Sequence, residues 1–250
     1  MPSEKTLSDL RKELRELDNK VKDLLWGKLR PPDSRPFVCN GDPYECKAFI
    51  VGCNPASGLR KSSFWEYWPD DDETGFKREE WLRAYESERP LSRTRQNINL
   101  IVSRAGAQPH PVKVLETNVY SIPTPSEREL RGILKQMDGG VESAAAIFVR
   151  LLVEVKPKVI FLHGQTAREA FMNEVSFQPR PETLSTFEFA QFVSGPPSNF
   201  PESCRINVPE AEPIAVMVMA LPHLCDRGHN ITQDVAENIG TYLQHCVHAP

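Results

Sequence analysis

The sequence predicts an α/β fold: three αβα layers around a central, largely parallel four-stranded sheet, with an N-terminal helix and two loop-rich insertions. Three observations carry that expectation. Short apolar runs that end in turns rich in glycine, asparagine or proline alternate with stretches of helical periodicity, the rhythm of strand–helix–strand units. The 250 residues are 40% hydrophobic and 26% charged, a mixture able to bury a substantial core. Finally, 22 prolines outnumber 13 glycines. Each prolyl ring fixes φ and removes a backbone donor, which argues against a helical bundle or solenoid and for many ordered, irregular loops.

The elements follow in chain order. Residues 3–29 read as one helix, because Leu7, Leu10, Leu14, Leu17, Val21 and Leu24 recur at three- and four-residue intervals on one face. The seam suits packing on the domain; pairing with a second copy in a homodimer is the alternative. Pro31, Pro32 and Pro36 close the helix, so residues 1–36 form a helix and linker and residues 37–250 the main domain. Residues 47–51 are a buried strand stopping at a glycine turn, and 93–105 a helix carrying Ile98, Ile101 and Val102. Strand 112–120 precedes a helix over 127–137, opened by Pro125-Ser126 with an acidic first turn. Helix 141–155, strand 158–163, helix 165–173, strand 214–221 and helix 231–246 complete the alternation. Residues 58–89, with Trp65, Trp68 and Trp81, and the proline-rich 177–213 break the rhythm and read as insertions.

Several classes fall away. No apolar run approaches the ~20 residues of a membrane span, and the charged N-terminus lacks the apolar centre of a signal peptide. The expectation is a cytoplasmic protein with no membrane partner. Six cysteines are too sparse for a disulfide scaffold. Cys39, Cys46 and Cys53 lack the close pairs of zinc or iron–sulfur ligation, so neither metal nor cofactor is expected. The net charge of −4 offers no global attraction to nucleic acid, and any such role must rest on local positive charge.

In parallel α/β sheets ligands bind beyond the carboxyl ends of the strands. Four turns fall there: Gly52-Cys53-Asn54-Pro55, Thr117-Asn118-Val119-Tyr120, His163-Gly164-Gln165-Thr166 and Leu221-Pro222-His223-Leu224. Taken alone, Asn54 before Pro55 is also a good turn residue, Asn118 a loop tie, and His223 a structural histidine. His163 reads as a packing residue, and the Trp65/Trp68 pair as core.

Together the four turns resemble the uracil-DNA glycosylase superfamily, in the branches whose first motif reads Gly-x-Asn-Pro. Thr117-Asn118 resembles the strand-end asparagine with which that family reads its base. Residues 156–164 are similar to its third core strand, and Leu221-Pro222-His223 resembles its second catalytic motif. The last departs from the usual His-Pro-Ser, since Leu224-Cys225 follows His223. The resemblance covers residues 49 to about 227 and implies a hydrolase that flips a base out of DNA and cuts its N-glycosidic bond. It implies that Asn54 holds the attacking water and that His223 donates to the base carbonyl as charge develops there. Asn118, with Cys53 in the turn and a stacked aromatic (Phe64 or Trp65, nearest the first motif), would hold the base.

DNA contacts fall to Ser57, Arg60, Lys61 and Arg93, with Leu224 or Arg227 filling the space a flipped base leaves. Uracil is the family's usual substrate. A bulky modified pyrimidine is the other candidate, since some relatives resemble antiviral defence enzymes acting on phage DNA. Two alternatives remain: a nucleic-acid-binding protein on the same fold with altered catalysis, and an unrelated α/β enzyme processing nucleotides.

Overall fold

The computed structural model describes residues 6–25, 34–56, 58–70, 74–137, 140–178, 185–186, 189–193, 195–197, 203–207, 211–224 and 231–248. Four of its strands are those the apolar runs predict: β2 (Ala48–Gly52), β3 (Val114–Asn118), β4 (Val159–His163) and β8 (Ile214–Leu221). They pair in parallel in the order β3-β2-β4-β8. The expected four-stranded sheet is corrected in extent, however, because it is the centre of an eight-stranded mixed sheet. The short β1 (Phe37–Val38) adds antiparallel to β3. On the other side β7 (Ser203–Asn207) pairs antiparallel with the first half of β8, and β5 (Ser176–Gln178) pairs antiparallel with β7. The two residues of β6 (Ser185–Thr186) run parallel to the end of β8. These added strands are two to five residues long, too short to set up a period. Proline and polar residues surround them, so the 177–213 insertion is partly sheet.

Side chains alternate across the sheet and meet helices on both faces. Phe49, Val51, Leu115, Ile160, Leu162, Val216 and Val218 share one core with α1 (Leu7–Leu25), α4 (Glu127–Leu134), α5 (Gly140–Val155) and α6 (Gln165–Glu174). Ala48, Ile50, Val114, Val159, Phe161, Met219 and Leu221 pack with α3 (Arg93–Gly106) and α7 (Gln233–His248). Local chemistry sets the helix starts. Ser92 accepts from the Arg95 N–H and Ser126 from the Glu129 N–H, the side-chain caps that free first-turn donors call for. Thr6 and Asp9 cap α1 reciprocally, each side chain accepting from the other's N–H.

α1 is an integral part of the domain. Leu10, Leu14 and Val21 are buried in its core, and Asp18 is fully buried. That carboxylate accepts from Trp65 Nε1 at 2.8 Å and from the Ser34 hydroxyl, and pairs with Lys22 at 2.9 Å. The apolar face proposed for a homodimer is thus spent on this chain's own core. The tryptophan-rich insertion lies beside it. Residues 64–67 form a 3₁₀ turn closed by a Ser63/Glu66 capping box, and α2 (Arg78–Glu88) follows. Among the described residues no helix is long and apolar enough to cross a membrane.

Candidate functional site

The register places four residues in one row across the parallel strands. Asn118 lies beside Gly52, and His163 beside Leu221, while the Val51–Leu162 pairing makes His163 the neighbour of Gly52 on its other side. All four continue the strand positions that face α3 and α7. The strand order also puts the topological switch point between β2 and β4, where open α/β sheets form their crevices.

At the centre of that row Gly52 leaves room for its neighbours' side chains. Asn118 and His163 stand two strand spacings apart, about 10 Å, and both side chains lean over the glycine. A Cβ at residue 52 would lie 2.6 Å from Asn118 Oδ1 and 2.9 Å from His163 Nε2. Gly164 makes a second close approach. With φ +88° it starts α6, and a Cβ there would lie 2.7 Å from His223 Cδ2. The His163 and His223 rings meet edge to face with centroids 5.4 Å apart. Two glycines therefore let an amide and two imidazoles converge at the carboxyl edge of the sheet.

The first turn is tied to the chain beyond β3. Val119 and Tyr120 donate their N–H groups to the Gly52 and Cys53 carbonyls, and the Thr124 N–H bonds Pro55 O. The Asn54 side-chain nitrogen serves the same junction. It donates to Thr124 Oγ1 at 2.7 Å and Thr124 O at 3.2 Å, and lies within 3.4 Å of Pro55 O and Ile122 O. Asn54 is thereby fixed by its donor end, leaving Oδ1 as the acceptor it can offer a ligand. His223 is exposed at the rim. The chain after it is held by Asn97, whose Nδ2 donates to Leu224 O at 2.6 Å.

Electrostatically the site backs onto a buried ion cluster. Arg95 makes a two-pronged contact with Glu116, one prong 2.6 Å long, and Arg35 reaches the same carboxylate at 3.3 Å. Both guanidiniums lie over the Trp81 ring. Burial alone would raise the Glu116 pKa, but Arg95 and then Arg35 outweigh it and hold the carboxyl below its usual range. Burial, with Arg95 beside it, brings Arg35 down to about 10 despite Glu116. His163 is pushed down to about 3, first by burial and then by the His223 ring, with Arg35 and Arg95 adding to the effect against Glu116. Its imidazole is neutral at physiological pH.

Other expected site residues lie elsewhere. The stacking role assigned to Phe64 and Trp65 is corrected. They are 2% and 5% exposed, and Phe64 packs among Phe37 (5.3 Å) and Phe76 (4.9 Å), while Trp65 serves Asp18. Local apolar demand under α1 explains both. Leu224 is corrected too: at 1% exposure it is packed in the core with α3 and α7, unable to enter a duplex as placed. Cys53 lines a cleft of about 520 Å³, open solvent included, on the α4–α6 side with Tyr120, Glu127 and Thr166. Burial pushes its thiol up to about 12, so it is no nucleophile. Arg60 and Lys61 are exposed beside the first turn, their backbone N–H groups gripped by Glu88 at 2.8–3.1 Å. Arg93, half-buried, begins α3. Ser57 and Arg227 lie outside the described residues.

Sequence reasoning put His163 at the ligand edge but read it as a packing residue, and it did not point to Asn97 or the Arg35–Glu116–Arg95 cluster. A polar residue ending a wholly apolar strand, immediately before glycine, was the available sign for His163. Among the described residues no three His, Cys, Asp or Glu side chains gather to hold a metal ion. No protein-family model matches the chain, and no curated protein matches it.

Proposed function

We propose that the chain is a DNA glycosylase that hydrolyses the N-glycosidic bond of a flipped base, uracil or a bulky modified pyrimidine. The observation that carries this reading is the convergence of Asn118, His163 and His223 over two glycines at the carboxyl edge of the sheet, with Asn54 two residues beyond Gly52 and anchored to Thr124.

The chemistry follows from those groups. The bond between C1′ and the base nitrogen breaks with its electron pair passing to the base, leaving an oxocarbenium-like sugar. A water adds to C1′ and loses its proton to solvent. Asn54 Oδ1 accepts a hydrogen bond from that water and fixes its direction, a positioning role that the rigid Nδ2 anchor makes effective. His223 donates to a carbonyl oxygen of the departing base, and Asn118 pairs with the base edge. The buried cluster holds two guanidiniums against one carboxylate, an excess of positive charge that favours a leaving group gaining electrons.

DNA held near Arg60, Lys61 and Arg93 would meet exposed and half-exposed cationic side chains on a protein that is acidic overall. Glu88 fixes the backbone that carries the first two. The N–H groups of Lys61 and Arg60, with Arg89, outweigh its burial and hold it below the usual carboxylate range.

The test is a panel of oligonucleotides and phage DNA carrying uracil, 5-substituted pyrimidines or ordinary bases, assayed for abasic sites. Abasic product from at least one substrate is expected. DNA binding with no abasic product from any base would favour a binding protein on this fold. Failure to bind DNA at all would remove both DNA-directed readings.

A further inference from the structure

His163 is 9% exposed and Asn118 4%, and each keeps one buried polar atom without a hydrogen-bond partner: His163 Nδ1 and Asn118 Nδ2. Buried polar groups that only serve packing are nearly always paired. A histidine that merely filled space at the end of β4 would tie its nitrogens to a carbonyl or carboxylate. Here Glu116, whose charge reaches the ring, is engaged by Arg95 and Arg35 instead. The other ring nitrogen, Nε2, points over Gly52 beside Asn118 Oδ1.

We propose that His163 is a second base-contacting residue, its imidazole making a direct hydrogen bond to the base held against Asn118 at the Gly52 floor. The identity of that ligand rests on the glycosylase reading. A neutral imidazole and a primary amide each present both a donor and an acceptor. Set side by side on a floor that has no side chain at residue 52, they match a planar heterocycle whose edge alternates carbonyl and N–H groups. They match poorly an alkyl chain, which would leave these groups unpaired. Because the ring stays uncharged, the contact selects by hydrogen-bond pattern rather than by ligand charge. His163 thus acts on which base is accepted, while Asn54 acts on the water.

The experiment uses the full chain labelled with ¹⁵N-histidine. Ring-nitrogen signals are followed while free uracil, 5-hydroxymethyluracil or cytosine is added, and excision is measured in parallel for wild type, His163→Phe and His163→Gln. At least one base is expected to move the His163 ring signals. Phe is expected to lower excision roughly 10- to 100-fold, with the melting temperature not lowered and DNA affinity within twofold of wild type. Gln, which restores a donor and an acceptor, is expected to recover much of that loss. Ring signals unmoved by every base overturn the contact whatever the excision rates, and the same holds if His163→Phe excises at the wild-type rate. If a base moves the ring but no DNA is excised, the contact stands and the glycosylase reading falls. If DNA is excised while the ring stays unmoved, the glycosylase reading stands and the contact falls. Should the Phe variant not fold, the wild-type titration and the Gln variant still decide.

Discussion

Replacing Gly52 by alanine inserts one methyl group at the point where the site's polar groups meet. The new Cβ would lie 2.6 Å from Asn118 Oδ1 and 2.9 Å from His163 Nε2. The first contact is about 0.8 Å short of an ordinary van der Waals approach. Both atoms end short side chains that are buried, 4% and 9% exposed, so burial limits how far either can swing aside. Overpacking of this kind costs about 1–3 kcal/mol. For a domain of this size that is a fall in melting temperature of roughly 2–12 °C. Gly52 does not require a left-handed backbone, so the effect is steric and not conformational. Displacing Asn118 and His163 by most of an ångström should also reduce excision about 100-fold, the usual consequence of misplacing groups that orient a substrate. Thermal melting by circular dichroism, paired with single-turnover abasic-site formation, measures both. An alanine variant that melts and excises like wild type would refute the crowding of these two side chains over residue 52.

Further outcomes are expected. Asp18→Ala leaves Trp65 Nε1 and the Ser34 hydroxyl without their acceptor, and should cost about 3 kcal/mol in urea unfolding; a loss under about 1 kcal/mol would contradict the buried carboxylate's role. Stability should also depend on His163 in acid. The unfolded ring takes up a proton below about pH 6.5, but the folded ring resists protonation down to about pH 3. Stability therefore falls as pH drops through that window, by at most about 1.4 kcal/mol per unit. Denaturant melts at stepped pH should show a shallower fall in His163→Phe; identical slopes would contradict a buried neutral ring. Arg60→Glu with Lys61→Glu should weaken DNA binding for all sequences alike and lower its salt dependence. An unchanged salt slope would place the DNA elsewhere.

How far the site could be read from sequence varied with the range of the interactions involved. β8 matches its apolar run residue for residue, and β2, β3 and β4 shift by only a residue or two, because strands buried on both faces show as continuous apolar runs. β7 alternates buried Cys204 and Ile206 with exposed neighbours over five residues, a signal that prolines on either side obscure. Asn54 was legible because a turn residue announces itself locally. His163 was legible as an edge residue but not as a base contact, since the role proposed for it depends on Gly52 lying beside it across a register that sequence does not reveal. Phe64 and Trp65 misled for the same reason. Proximity in sequence to the first turn suggested a base platform, while burial against α1 and Phe37, distant in sequence, decided their place. Two of the prolines, Pro55 and Pro222, flank the proposed site residues Asn54 and His223.

The most direct test of the central claim compares wild type with Asn54→Ala on whichever base-modified DNA is cleaved, under single-turnover conditions with enzyme in excess. Alanine removes both the Nδ2 anchor to Thr124 and the Oδ1 acceptor for water. The expected result is DNA affinity within a few-fold of wild type and abasic-site formation lowered at least ~100-fold. Abasic sites formed at the wild-type rate by this variant would contradict the claim that the Gly52–His163 edge is where the glycosidic bond is cut.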